Sequence, residues 1–90
     1  MTIAGGWNLK EMSNKLPEDV EKGFKEVTQH LVGASYDPVL YVGSQVVAGF
    51  NYMIICKQTL SDKDATEHLV KLVINVLNEK WSIVSIDEIV

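Results

Sequence analysis

The sequence predicts an α+β domain in which one α-helix packs across a four- to five-stranded antiparallel β-sheet. Two observations carry this. Apolar residues Val20, Phe24, Val27 and Leu31 recur at intervals of four, three and four, the spacing of one helical face. After Pro38 the period switches to two, and β-forming residues dominate to the end of the chain.

The elements follow in order. A helix is expected over 17–32. Pro17 suits a first helical turn, Glu18 and Asp19 complement its positive end, and Gly33 stands where a left-handed cap belongs. Gly23 interrupts the helix at a cost of about 1 kcal/mol relative to Ala, unless something packs closely against the backbone there. Strands are expected over 39–47 and 50–60. The polar run 61–66 reads as a loop. Residues 67–78 alternate cleanly, with Val70, Leu72, Ile74 and Val76 on the face that meets the helix. After a turn at 78–80, a last strand spans 82–90, with Val84 and Ile86 as core candidates, and residues 7–10 are a candidate fifth strand.

Ninety residues make one domain, 1–90, and the Gly-rich residues 1–6 read as a flexible N-terminal arm. The composition, 47% hydrophobic and 22% charged, is that of an ordinary globular domain, and the apolar runs are far shorter than the roughly 20 residues a membrane-spanning helix needs. A net charge of -4 without a Lys/Arg stripe gives no footing on a phosphate backbone, so neither nucleic acid nor membrane is expected as a partner. A single cysteine, Cys56, leaves no internal disulfide and reads as a buried, inert thiol. No basic-then-apolar leader is visible at the start, so a cytoplasmic location is the simple expectation, and a secreted mature form carrying a new initiator Met reads equally well.

No Ser-His-Asp or Cys-His constellation, phosphate-cradling Gly loop or paired carboxylates can be assembled, and no catalytic residue, cofactor or metal ligand is expected. His30 and His68 read as isolated surface imidazoles. Asp62, Asp64 and Glu67 lack the spacing and central Gly of a calcium loop and read as a solvated turn. Trp7 reads as a packed aromatic.

The run Gln45-Val46-Val47-Ala48-Gly49 is different. It falls at a hairpin tip yet consists of small and apolar side chains, where a hairpin facing only solvent usually carries Asn-Gly or Asp-Gly. Topology gives the tip company. Consecutive hairpins of a meander alternate between the two ends of the sheet, so the turns at 46–49 and 78–81 are neighbours, and the start of the helix with the arm before it is expected at the same end. Gly5, Gly6, the apolar hairpin and Trp81 can then form one edge: glycines that follow a surface closely, a slim apolar wedge and an aromatic anchor.

With Gly5-Gly6 before it and Lys80-Trp81 after it, the Gln45–Gly49 run resembles the three-part signature of the cystatins, protein inhibitors of papain-like cysteine proteases. Asn51-Tyr52 also looks like the start of that family's following strand, and the likeness spans nearly the whole chain. It implies a reversible, competitive inhibitor whose protease-binding residues are Gly5 or Gly6 in the arm, Gln45, Val46, Val47, Ala48 and Gly49 in the first loop, and Trp81 in the second. Lys80 stands where secreted cystatins usually have Pro. The absent disulfides and the short 61–66 loop are more similar to stefin-like or microbial members. The resemblance also suggests a monomer able to form domain-swapped dimers through a first hairpin strained at the β-branched Val46 and Val47. The rival reading is a non-inhibitory binding or assembly module on the same scaffold.

Overall fold

The computed structural model describes residues 6–90. Helix α1 spans Glu18–Thr28, and the strands are β1 (Ala34–Val47), β2 (Gly49–Leu60), β3 (Glu67–Leu77) and β4 (Lys80–Glu88). The strands form one antiparallel sheet in sequence order, β1-β2-β3-β4, and α1 covers one of its faces. This is the predicted architecture with four strands.

The interior joins Val20, Phe24 and Val27 of the helix to Tyr41, Ile54, Cys56, Val70, Leu72 and Ile74 of the sheet. Paired register explains the selection. Tyr52 lies opposite Ile74, Ile54 opposite Leu72 and Cys56 opposite Val70, so one parity of β2 and β3 faces the helix. Val70, Leu72 and Ile74 are buried as predicted, whereas Val76, expected on the same face, is half-buried and outside the core cluster.

Several expectations are corrected. The helix stops at Thr28 rather than continuing to 32. The Thr28 hydroxyl donates back to the Phe24 carbonyl at 2.8 Å, Leu31 N–H closes a short turn on Thr28 O, and Leu31 stays outside the core. Pro17 is the residue just before the helix, and its carbonyl accepts from Glu21 N–H at 2.8 Å. Strand β1 begins at Ala34 and runs through Pro38, which an edge strand tolerates because a register shift beside it relieves the ladder. In β4, Val84 is 55% exposed and Ile83 takes the inward place opposite Ile74. A register shift at Val73/Ile74 inserts an extra residue into β4, which reverses the parity on its early side.

The 7–10 segment forms isolated bridges rather than a regular strand. Asn8 exchanges backbone hydrogen bonds with Ser44 (2.7 and 3.1 Å), and Ser13 does so with Tyr41 (3.0 and 2.7 Å), so this stretch runs antiparallel along the outer edge of β1. In the 61–66 loop, Asp62 accepts from the Thr66 backbone at 2.9 Å and from its hydroxyl at 2.7 Å. These bonds hold the Asp62 carboxyl below its ordinary pKa, and the residue closes a turn. His68 sits 3.3 Å from both Val90 O and a Glu88 carboxylate oxygen.

A 14-residue strand at roughly 3.3 Å per residue spans roughly 46 Å. The molecule measures 48 × 25 × 23 Å, so its long axis follows the strands and the sheet turns lie at its ends.

Candidate functional site: the turn-bearing end of the sheet

One end of the long axis carries the β1–β2 and β3–β4 turns. Ala48 alone separates Val47 from Gly49, which face each other across the first turn. Gly49 has φ +78°, and a Cβ built on it would overlap the Val76 carbonyl. Only glycine satisfies both the left-handed backbone and this approach. The same contact shows that the first hairpin tip is pressed against the end of β3, beside Leu77.

The second turn is Asn78-Glu79, with φ of 50° and 65°, between the paired residues Leu77 and Lys80. Two left-handed residues in succession give the tight hairpin that matches strand twist. The turn therefore closes before Lys80, and Trp81 stands inside β4 opposite Val76. Its indole lies on Gly23 of α1, and its ring centroid is 5.8 Å from that of Tyr52. Trp81 thus sits at the shared end of the sheet but points to the helix rather than outward from a turn.

The segment at 6–8 also reaches this end. Asn8 pairs with Ser44, and a Cβ on Gly43 would overlap the Asn8 carbonyl, so a glycine admits the segment here. Gly6 is exposed and precedes Asn8 in the direction of the first turn. Gly5 lies outside the described residues.

Around the first turn, Val46 is 64% exposed, Ala48 is exposed, and Gln45, Val47 and Gly49 are half-buried. Sequence reasoning missed two neighbours. Phe50, 46% exposed, lies between Val46 on β1 and Val76 on β3, and Leu77, 45% exposed, leads into the second turn. Strand parity carried the signal: Phe50 shares a face with its cross-strand partner Val46, one pair inside the Val47/Gly49 pair that closes the tip. Val46 and Phe50 on the helix side, Ala48 at the tip and Leu77 on the opposite side give this end of the sheet an exposed apolar rim.

Behind the rim, on the face away from α1, runs a polar row. Asn75 Nδ2 donates to Asn51 Oδ1 at 2.9 Å and to the Ala48 and Phe50 carbonyls at 3.2 Å each. Asn51 Nδ2 donates to Gln45 Oε1 at 3.2 Å. On the helix side, Phe50, Tyr52 and Trp81 form an aromatic row, with Phe50 and Tyr52 centroids 6.3 Å apart. Burial raises the Tyr52 and Tyr41 phenols above their ordinary pKa.

The backbone removes the strain expected at Val46 and Val47. Among the described residues, positive φ at non-glycine positions is confined to Ala65, Asn78 and Glu79, and the turn's left-handed angle falls on Gly49. β-Branched strain therefore gives no reason for this hairpin to open.

Searches against protein-family models, curated proteins and solved structures find no match to this chain.

Elsewhere, an open groove lies between α1 and the first half of β1, flanked by Phe24, Lys25, Thr28, Tyr36 and Pro38. Among the described residues, no group of three or more His, Cys, Asp or Glu side chains is placed to hold a metal ion, and no helix is long and apolar enough to cross a membrane. Cys56 is fully buried, and burial raises its thiol pKa to about 12.

Proposed function

We propose that this chain is a reversible, competitive protein inhibitor of papain-like cysteine proteases and a disulfide-free relative of the cystatins. Its turn-bearing end enters the active-site cleft as a wedge, with the Gly5-Gly6 arm on one side, the Gln45–Gly49 turn at the centre and the second turn on the other. Occlusion is non-covalent: no group of the inhibitor attacks the protease, and no bond is cut. The observation that supports this most is the position of the Gln45–Gly49 run. It sits at the tip of an elongated molecule, with apolar Val46 and Ala48 exposed and both the segment at 6–8 and the Asn78-Glu79 turn beside it. A narrow apolar projection flanked by two further segments suits a cleft better than a flat surface.

Steady-state kinetics with papain test the reading. The wild-type chain is expected to raise KM without changing kcat. Val46→Asp, which places a charge on an exposed side chain free of backbone strain, is expected to weaken inhibition by about thirtyfold, the equivalent of about 2 kcal/mol. Full papain activity at micromolar wild-type protein would overturn it.

One observation favours a second reading. The indole that would anchor the second loop is packed on Gly23, so the scaffold presents a smaller apolar rim than the resemblance implies. A binding or assembly module using that rim for another protein becomes the better account if papain is untouched.

A further inference from the structure

The Asn75 side chain reaches across from β3 to the main chain of the first turn. Of its three acceptors, two are carbonyls of Ala48 and Phe50, the residues on either side of Gly49. The third, Asn51 Oδ1, links the amide to a cross-strand row that continues to Gln45 on β1. Gly49 itself is pressed on the Val76 carbonyl next door. The tip of the β1–β2 hairpin is thus tied to β3 from two directions, by close backbone approach and by a side-chain latch.

We infer that Asn75 is the positioning residue of the first turn. It holds the Val46–Phe50 rim in its binding shape through the Ala48 and Phe50 carbonyls and does not touch the partner itself. The consequence for binding rests on the protease reading above; the latch does not. A turn fixed before encounter loses less freedom on binding, so the latch acts on affinity through preorganisation. The chemistry requires a donor at this position, since all three partners are acceptor oxygens. Asn75→Asp keeps the shape but replaces the donor with a charge that faces three oxygens. Asn75→Ala removes the donor without adding repulsion.

The test combines amide hydrogen exchange, read residue by residue, with papain inhibition, for wild type, N75D, N75A and the same-face control Lys71→Gln. N75D is expected to speed exchange at 47–50 about tenfold, leave 70–74 unchanged and weaken inhibition about tenfold, with N75A acting in the same direction and K71Q in neither assay. The ratio of N75D to wild-type exchange at the tip, compared at the same pH, is expected to shrink as pH is lowered to about 4 and the carboxyl regains a donor proton. Wild-type exchange at the tip of both Asn75 variants, or faster exchange spread equally through 70–74, would overturn the inference. Inhibition by wild type that N75D and N75A match would also overturn it, while leaving the protease reading intact. A tip that opens in N75D while wild type fails to inhibit would uphold the latch and remove the protease reading.

Discussion

The indole of Trp81 fills the space that the missing side chain of Gly23 leaves on α1. An interior helical glycine that looks costly in isolation is the condition for seating the largest side chain of β4 against the helix. The two residues are 58 positions apart in sequence, and their contact fastens the helix to the sheet near the end that carries both turns.

Gly23→Ala is therefore expected to destabilise the protein, against ordinary helix propensity. An unobstructed helix gains up to about 1 kcal/mol from this change. Here the new methyl overlaps the indole, and overpacking costs about 1–3 kcal/mol. Urea unfolding of the pair of proteins reads the sign directly.

Trp81→Ala is expected to lower stability by about 3 kcal/mol, the scale for emptying an aromatic site. Any loss of inhibition in that variant then mixes folding with contact. Its melting temperature, compared with its inhibition constant at a temperature where it is fully folded, separates the two.

Phe50→Ser and Leu77→Ser are expected to leave stability within about 0.5–1 kcal/mol of wild type, because both side chains are about half exposed. If the turn-bearing end is the proposed wedge, each is expected to weaken papain inhibition by about tenfold or more as a rim contact. Equal inhibition by both variants and wild type would remove these residues from the site.

The buried thiol and phenols give a pH dependence of known sign. Folding raises Cys56 from its ordinary 9.0 to about 12 by burial, with the nearby Asp37 charge adding to it, and raises Tyr41 and Tyr52 through burial first. The folded state favours the neutral forms, so their contribution is complete below about pH 9 and is lost as pH rises towards about 12. Urea midpoints are expected to fall across that window, and less so for Cys56→Val. Iodoacetamide at about pH 8 is expected to label only the unfolded protein.

Periodicity made most of the scaffold legible. The Val20–Phe24–Val27 face and the Val70–Leu72–Ile74 alternation led directly to the two halves of the core. Register shifts were the obstacle. One near Pro38 hid the first five residues of β1, and one in β4 exchanged Val84 for Ile83, because a single extra residue inverts side-chain parity without any mark in composition. The candidate site was legible at its centre as far as the hairpin goes, since the apolar run does fall at the β1–β2 turn. Trp81 was misplaced because the Asn78-Glu79 turn uses a glutamate at a left-handed position that sequence alone rarely signals. Gly23 announced that something approaches the helix, but only the fold reveals that Trp81 is what fills the space.

Hydrogen-exchange footprinting of the protein with and without catalytically blocked papain tests the central claim most directly. Protection gathered on residues 6–8, 45–50 and 77–80, with the groove between α1 and β1 unchanged, is the predicted result. Protection of that groove instead, or no protection at concentrations that saturate a micromolar complex, would contradict the assignment of the turn-bearing end as the binding edge.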